Sequence, residues 1–402
     1  MNVLFLTMSS AFSQPNPRGI YADLMYKFHQ EGHHVYIVYP NERRVGKATI
    51  MDVRNGITYL GVKTLNLTKT NVIEKGVGQV MMEYQYMHAI KKHLGNVRFD
   101  LITYSTPPIT FTKVIEWAKR NNPEAVTYLQ LKDIFPQNAV DLGMLKTTGL
   151  KGILYNSFRK KEKHLYKISD HIGCMSPANV KYVIEHNSEV DPAKVEICPN
   201  SMNLQPKKEV DMEVIRKKYN LPVDKPIFFY GGNLGKPQGI PFLVECLKAN
   251  SHRTDCHFLI VGKGTEFKAL DNWVKNDAPA NVSLMSSLPK DDYDQLAEAC
   301  DVGLIFLDYR FTIPNYPSRL LACLMQKNPI IAATDPNCDT GTLAEANDYG
   351  FYCPSNDVSA FTKTVDKMLQ SNIKAMGEKG YQFYLNNYTV EHTYDAIIKH
   401  FR

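Results

Sequence analysis

A glycine-rich turn between an apolar run and a helical pattern constrains the fold of this chain more than any other feature. The apolar run lies at 227–230, the sequence GGNLGK occupies 231–236, and the helical pattern opens at Pro241. A buried strand, a glycine turn and a helix N-terminus together form a binding site for a phosphate or a diphosphate. The same glycines could instead serve only to pack a tight turn, and the motif alone does not separate these two interpretations.

The same succession occurs at the start of the chain, which indicates two nucleotide-fold halves. An apolar run at 3–7 precedes a polar loop that leads through Gly19 into a helical pattern. A chain of 402 residues exceeds one ordinary core, and predicted strands alternate with predicted helices along it. The sequence therefore predicts the α/β class, with two Rossmann-like, doubly wound parallel-sheet domains that face a cleft.

The predicted domain boundary lies near residue 204. The first domain is expected at 1–204 and the second at 205–385, with a polar linker at 205–211 and a C-terminal helix at 386–402 that packs back on the first domain. Ligands of such sheets bind at the carboxyl ends of the strands, where Gly19, Thr106 and the segment after Leu131 lie. Strands are predicted at 3–7, 35–39, 57–62, 100–104, 125–131, 171–175, 195–198, 227–230, 257–261, 282–285, 302–306, 329–332 and 350–353.

Composition argues against several classes of protein. The eight cysteines form no C-x-x-C pair and the histidines show no ligand spacing, so reduced thiols are predicted rather than disulfides or a metal site. No apolar run approaches the ~20 residues that span a bilayer, and the N-terminus lacks a signal-peptide pattern. Residues 1–200 carry 25 basic and 17 acidic side chains, which suggests an anionic partner such as a membrane surface or a phosphate-bearing acceptor.

Two cations in the second half are candidates for binding a phosphate. Lys236 ends the glycine turn, and Arg319 follows Ser318 in the first turn of a predicted helix, where a cation opposes the helix dipole. A bound diphosphate would make that position favourable. An exposed arginine that the helix merely tolerates is the alternative. For a second turn, at Gly262, a purely structural role is favoured over contact with a ligand.

The first half offers a carboxylate and a basic helix. Asp133 follows a strand end and precedes a proline, so it could orient a hydroxyl or act as a base, or it could only cap a turn. The segment 146–167 holds seven basic residues and one acid, and Leu154, Phe158 and Leu165 share one helical stripe. This pattern is typical of an interfacial helix, and equally of a core-packed helix with a solvated basic face.

Taken together, these stretches resemble the retaining, nucleotide-sugar-dependent glycosyltransferases of family 4, which have the GT-B fold. The similarity is greatest to the branch that adds amino sugars such as N-acetylfucosamine during bacterial O-antigen and capsule assembly. It covers nearly the whole chain and depends on the order and spacing of several motifs. These are the first loop with Gly19, LKDIFP at 131–136, VEICPN at 195–200, YGGNLGKPQG at 230–239, FLIVGKG at 258–264 and YPSRLL at 316–321.

The resemblance assigns roles to individual residues. The C-terminal domain would hold the nucleoside diphosphate, which Lys236 and Arg319 would neutralise without a metal or other cofactor. Implied donor contacts are Gly19, Gly232, Asn233, Lys236, Gly262, Asn315, Tyr316, Ser318, Arg319 and Leu320. Implied catalytic residues are Asp133 and Lys132, and implied acceptor or membrane contacts are Thr106, Arg159, Lys160 and Lys163.

The chain departs from the family pattern at three positions. Two glutamates that often contact the sugar and the ribose are replaced by Pro314 and Ala322, and a histidine that often precedes the aspartate is replaced by Lys132. The ribose contact must therefore come from elsewhere. Because Lys132 replaces the histidine, Asp133 becomes the stronger candidate for the catalytic group.

The resemblance implies a peripheral membrane enzyme at the cytoplasmic face of the plasma membrane. It would transfer a sugar, an N-acetylated amino or deoxy sugar, from a UDP donor to a lipid-diphosphate-linked saccharide with retention of configuration. A GT-B sugar-nucleotide epimerase and a catalytically inactive sugar-nucleotide-binding subunit are the alternatives. Nucleic acid is not expected as a partner, because the basic residues lack interleaved aromatic modules.

Overall fold

The structure is a computed structural model that describes residues 1–68, 70–204 and 211–401. It divides into two compact units, of which the first comprises Met1–Asn203 with Thr389–Arg402 and the second Leu204–Tyr388. The predicted linker at 205–211 lies outside the described residues, apart from Asp211. No helix in the described part of the chain is both long and apolar enough to cross a bilayer.

The first unit is built on an eight-stranded sheet in the order β3-β4-β2-β1-β5-β6-β7-β8. All neighbouring strands are parallel except β3, which pairs antiparallel with β4. The strands are β1 Asn2–Leu6, β2 His34–Glu42, β3 Ile50–Arg54, β4 Ile57–Thr64, β5 Leu101–Ser105, β6 Val126–Leu131, β7 His171–Cys174 and β8 Val195–Ile197. Its helices are α1 Ile20–Gln30, α2 Val72–Leu94, α3 Thr112–Asn121, α4 Gln137–Asp141, α5 Gly149–Ile168 and α6 Pro177–His186.

Strand β3 is absent from the sequence prediction. It is an edge strand on which Ile50 and Val53 are exposed, so it lacks the continuous apolar run of a strand buried on both faces. The hairpin signal was nevertheless present, because Asn55 and Gly56 join β3 to β4 with φ angles of 50° and 80°. Asn-Gly is the preferred pair for such a two-residue turn.

The second unit contains a fully parallel six-stranded sheet in the order β11-β10-β9-β12-β13-β14. Its central strands are buried on both faces, which explains why they read as short apolar runs in the sequence. The strands are β9 Ile227–Asn233, β10 His257–Lys263, β11 Val282–Met285, β12 Val302–Phe306, β13 Ile330–Thr334 and β14 Gly350–Pro354. Its helices are α7 Met212–Lys218, α8 Ile240–Ala249, α9 Phe267–Asp277, α10 Lys290–Glu298, α11 Arg319–Met325, α12 Thr340–Ala346, α13 Val358–Leu369 and α14 Ile373–Asn387.

The last helix of the chain, α15 Val390–Ile398, belongs to the first unit. Its Tyr394 packs edge-on against Phe28 of α1, and its hydroxyl lies 3.0 Å from Nε2 of His33. Thr393 donates a hydrogen bond to the carbonyl of Pro199. The C-terminal segment thus closes the apolar core of the unit in which the chain begins.

Candidate active site

The turn after β9 is held in place by its own contacts. The side-chain oxygen of Gln238 accepts hydrogen bonds from Nδ2 of Asn233 and from the backbone N–H of Gly235, at 2.9 and 3.3 Å. Gly232 has a φ of +127°, a conformation that favours glycine. A Cβ on Gly262 would lie 2.0 Å from the carbonyl oxygen of Gly232, so this glycine allows the ends of β9 and β10 to approach.

A cavity of about 250 Å³ opens beside this turn, at the carboxyl ends of three parallel strands. Its wall consists of the ends of β9 and β10, Ser287 and Leu288 after β11, and Tyr293 of α10. This is the edge of a doubly wound sheet at which ligands bind. A Cβ on Gly231 would lie 1.9 Å from the hydroxyl of Tyr293, so the glycine leaves room for that side chain at the rim.

Arg319 has an unusual electrostatic environment. Its guanidinium lies over the ring of Tyr230, 4.5 Å from the centroid. Within the described residues its buried Nη1 has no hydrogen-bond partner and the side chain forms no ion pair. A buried donor without an acceptor costs about 1–3 kcal/mol, so the position is better suited to an anion than to an empty site.

Asn315, four residues before Arg319, and the glycine turn with Lys236 add to this arrangement. Nδ2 of Asn315 is a second buried donor for which the described part of the chain supplies no acceptor. A Cβ at Gly232 would lie 3.8 Å from Nη2 of Arg319, so the glycine turn and the guanidinium are adjacent and no side chain separates them. Lys236 is exposed at the end of the same turn.

The other predicted donor contacts have different environments. Tyr316 and Leu320 are buried, at 4% and 0% exposure, and the hydroxyl of Tyr316 pairs with that of Tyr388 in the interior. Their side chains pack in the interior of the unit, so a donor contact at these two positions, which stays a prediction, would have to come from the backbone. Ser318 is exposed at the N-cap position of α11, where its side chain makes no capping hydrogen bond.

In the first unit, the predicted catalytic group Asp133 lies just after β6. Oγ1 of Thr106 accepts hydrogen bonds from the backbone N–H groups of Lys132 and Asp133, both at 3.1 Å. Thr106 is thus a residue that positions Asp133. Nδ2 of Asn138 donates to Oδ1 of the carboxylate at 2.6 Å.

Burial raises the pKa of Asp133 to about 6, against the opposing effect of the hydrogen bonds from Asn138 and Ile134. The carboxylate is therefore mostly ionised at neutral pH, yet its pKa lies close enough to 7 for proton transfer. Tyr21 of α1, two residues after Gly19, interacts through its hydroxyl with Ser105, and burial raises its pKa to about 12. The charge of Asp133 contributes to this raised pKa, which places the start of α1 and the carboxylate in one neighbourhood.

Lys132 points away from this neighbourhood. Its ammonium group donates to the carbonyls of Cys198 and Pro199, at 3.2 and 3.3 Å, and its pKa is lowered by burial. The side chain ties the end of β6 to the segment after β8. The structure thus separates the two predicted catalytic residues and leaves Asp133 as the candidate.

The predicted membrane contacts are also divided. Arg159 pairs with Glu162 and donates to the carbonyl of His186, and Lys163 pairs with Glu189 at 3.0 Å. Both side chains are therefore engaged within the unit. Lys160 is exposed, and the described residues offer it no ion pair.

A second cavity, of about 540 Å³, lies in the first unit between the loop after β1 and the edge strand β3. Arg54 closes one wall, because its guanidinium donates to the carbonyls of Phe12 and Gln14 and stacks 3.6 Å from the centroid of Tyr59. Lys47 and Thr49 line the other side, where the chain leaves β2. In the part of the chain described, no group of three or more His, Cys, Asp or Glu side chains could hold a metal ion.

Comparisons with known proteins agree with the architecture. The model of the family "Glycosyl transferases group 1" matches residues 211–383, nearly the whole second unit. A curated relative, the probable glycosyltransferase WbjE of Pseudomonas aeruginosa, is 21% identical over 324 residues, which are 77% of this chain and 75% of that protein.

Solved structures match over the full length. Sucrose-phosphate synthase from Thermosynechococcus elongatus has a TM-score of 0.78 at 15% identity and covers 100% of this chain and 98% of its own. HepE from Anabaena in complex with UDP has a TM-score of 0.69 at 13% identity, and the match covers 100% of this chain and 99% of HepE. WaaG, a glycosyltransferase involved in lipopolysaccharide biosynthesis, has a TM-score of 0.65 at 15% identity, and the match covers 98% of this chain and 99% of WaaG.

These likenesses confirm the predicted fold class, because the chain has two parallel-sheet α/β domains as GT-B glycosyltransferases do. They also support a glycosyltransferase, at the level of the group 1 family model. Pro314 and Ala322 have hydrocarbon side chains, so neither can replace a ribose-binding carboxylate. Tyr293, which the sequence gave no reason to select, is one of the polar side chains that line the cavity.

Proposed function

We propose that this protein is a retaining glycosyltransferase of surface polysaccharide synthesis. It moves a sugar, an N-acetylated amino or deoxy sugar, from a UDP-sugar to a lipid-diphosphate-linked saccharide at the cytoplasmic face of the plasma membrane. The single observation that carries the proposal is the buried Nη1 of the Arg319 guanidinium, which lies beside a glycine turn and finds no acceptor in the described residues.

The second unit would bind the donor. The nucleoside would enter the cavity at the ends of β9 and β10, with Tyr293 at its rim. The diphosphate would lie between the turn at Gly232 and Arg319, where the guanidinium and Nδ2 of Asn315 gain the acceptors that they lack. Lys236 adds a second positive charge, and two cations stabilise a leaving diphosphate in the manner of an oxyanion site, so the proposal requires no metal.

The first unit would bind the acceptor. Asp133, held by Thr106 and Asn138, would accept a hydrogen bond from the attacking hydroxyl and orient it. The bond from that oxygen to the anomeric carbon forms while the bond from the anomeric carbon to the diphosphate breaks, and the hydroxyl proton leaves with UDP. The positive charge of Arg319 and Lys236 favours this departure more in the transition state than in the ground state.

Transfer is tested with purified full-length protein, a panel of UDP-sugars and a lipid-diphosphate-linked monosaccharide. The proposal predicts release of UDP that depends on the acceptor, and a loss of at least about 100-fold in kcat for Arg319→Ala, the size of effect seen when a single oxyanion donor is removed. Lys374→Ala, an exposed lysine of the second unit, is the matched control and should not change the rate.

Three outcomes distinguish the candidate functions. Acceptor-dependent release of UDP with a lengthened saccharide supports transfer. Release of UDP together with an epimerised free sugar, without acceptor, would instead identify an epimerase. Tight UDP binding with no turnover on any donor would identify an inactive binding subunit.

A further inference from the structure

The N-terminal half of α5 presents large aliphatic side chains to solvent. Leu150 is 87% exposed, Ile153 68% and Leu154 47%, and their spacing of three and four residues places them on one helix face. The C-terminal half of the same helix behaves differently, because Leu165 is buried at 0% and Phe158 packs on Phe135. The N-terminal half therefore fits the interfacial helix predicted from the sequence, and the C-terminal half fits the alternative, a helix packed on the core.

A second exposed apolar face lies on α2. Val77, Val80, Met81 and Tyr84 are between 42% and 49% exposed. The helices belong to one layer, since α2 contacts α3 and α3 contacts α5. Monomeric soluble proteins rarely expose contiguous apolar surface of this kind without a partner.

Topology brings both faces to the same end of the unit. Helices α2, α3 and α5 each return from the carboxyl end of one strand to the start of the next, and the connections β4→β5, β5→β6 and β6→β7 advance in one direction across the sheet. Right-handed connections in one direction place the helices on one face of a sheet, running opposite to the strands. Their N-terminal halves therefore lie toward the carboxyl edge of the sheet, the edge at which Asp133 follows β6.

Along α5, the charge around the exposed aliphatic residues has one sign. Between residues 142 and 161 the sequence contains five basic side chains and no acid. Lys146, Lys151 and Lys160 are exposed and form no ion pair with the described residues. Aliphatic side chains interleaved with unpaired lysines complement an interface of acyl chains and anionic headgroups.

We propose that the exposed faces of α2 and α5, named here the apolar edge, bind the surface of an anionic lipid bilayer. The apolar edge is defined by Val77, Val80, Met81 and Tyr84 of α2 and Leu150, Ile153 and Leu154 of α5, with Lys146 and Lys151 beside it. The inference rests on the proposed function in one respect: membrane binding would bring a lipid-linked acceptor to the edge of the sheet that holds Asp133. A second copy of the chain fits the surface less well, because lysines would then face lysines.

The test is co-sedimentation of the full chain with vesicles of phosphatidylcholine alone and of phosphatidylcholine with phosphatidylglycerol. The protein should bind the anionic vesicles and lose affinity as salt rises. The double variant Ile153→Ser with Leu154→Ser should weaken the partition coefficient by at least about 10-fold, since two aliphatic side chains no longer enter the interface. Lys151→Glu should weaken it by about 25-fold, because each basic charge near an anionic surface contributes about 5-fold.

Matched controls come from the second unit. Val214 is 58% exposed on α7 and Lys374 is exposed on α14; Val214→Ser and Lys374→Glu should bind vesicles as the unaltered chain does. UDP affinity is measured on every variant, because it reports on the donor site and should not change.

The outcomes are separable. Equal vesicle binding by the unaltered chain and by the apolar-edge variants would overturn the inference, as would a dimer in vesicle-free solution that Ile153→Ser with Leu154→Ser dissociates. Vesicle binding that depends on the apolar edge while no UDP-sugar is turned over would uphold the surface and reject the proposed function.

Discussion

Replacing Arg319 with methionine should separate the stability of the second unit from its ability to bind a diphosphate. The variant loses the contact between the guanidinium and Tyr230, worth about 0.5–2 kcal/mol. It also removes the buried Nη1, which has no partner in the described residues and whose desolvation costs about 1–3 kcal/mol. These two effects nearly cancel, so the free energy of unfolding of the ligand-free protein should change by less than about 1 kcal/mol, or a few degrees in Tm.

Binding should respond very differently. Removing one partner of a buried, hydrogen-bonded charge pair costs about 2–5 kcal/mol, which corresponds to a rise in the Kd for UDP of roughly 30-fold to several thousand-fold. Calorimetric titration with UDP measures the affinity, and scanning calorimetry measures the stability without ligand. Arg319→Lys is the matched variant and should retain part of the affinity, because it keeps the charge and loses the planar fork.

The reasoning would be refuted by the opposite pattern. If Arg319→Met lowered the Tm of the ligand-free protein by more than about 8 °C and bound UDP within about threefold of the unaltered chain, the guanidinium would be a structural group and not a ligand-binding one.

Three further predictions follow from single side chains. Asp133→Asn should lower kcat by at least about 100-fold, and the kcat of the unaltered enzyme should fall as pH drops below about 6, the pKa of Asp133, in a pH–rate profile. Since that pKa is raised from 3.8, the ionised carboxylate destabilises the folded chain above pH 6. Asp133→Asn should therefore raise the free energy of unfolding there by up to about 3 kcal/mol and should not change it below pH 4. Equal stabilities of the two proteins at pH 7 would contradict this. Burial lowers the pKa of His257 to about 4 from 6.5. The neutral imidazole therefore contributes fully to the free energy of unfolding above pH 6.5, and this contribution is lost as the pH falls to 4. Denaturant titrations across this range should show that the free energy of unfolding of His257→Gln depends on pH less than that of the unaltered chain, by up to roughly 3 kcal/mol. Gly262→Ala forces a Cβ to within 2.0 Å of the carbonyl of Gly232 and should lower the free energy of unfolding by about 1–3 kcal/mol and weaken UDP binding, whereas Gly76→Ala, where a Cβ meets nothing within 4 Å, should do neither.

The fold was predictable from the sequence wherever a buried strand leaves a run of apolar residues. Each central strand of the two sheets is buried on both faces, so it appears in the sequence as a short apolar run between turn signals. Strand β11 occupies Val282–Met285 and β12 Val302–Phe306, as the pattern predicted. Strand β3 was missed because it is an exposed edge, although its Asn-Gly turn was visible in the sequence.

The candidate site was predictable only where local signals exist. The glycine turn, Arg319 and Asp133 each stand out from their neighbours in the sequence. Tyr21 and Tyr293 do not, because a tyrosine in a helical pattern looks like any half-buried residue until the fold brings it to a strand end. The sequence also does not show which polar side chains are buried. Tyr316 lies in a segment predicted to bind the donor, but its hydroxyl pairs with that of Tyr388 in the interior.

Long basic side chains were the least predictable group. Arg159, Lys160 and Lys163 look equivalent in the sequence. The last residue of α6 and Glu189 in the turn after it supply acceptors for Arg159 and Lys163, and the described residues supply no ion-pair partner for Lys160. Partners of this kind depend on tertiary neighbours more than 20 residues away. The exposed aliphatic residues of α5 became visible for the same reason, once the structure showed which half of the helix is covered.

The central claim is that the turn at Gly232 and Arg319 binds the diphosphate of a nucleotide sugar. The most direct measurement is a thermal-shift panel of UDP, UDP-sugars, NAD and ATP, each with and without a chelator of divalent metals. The account predicts that UDP and at least one UDP-sugar raise the Tm by mass action, equally in chelator, and that Arg319→Met abolishes the shift. Stabilisation by NAD alone, or a UDP shift that survives in Arg319→Met, would contradict it.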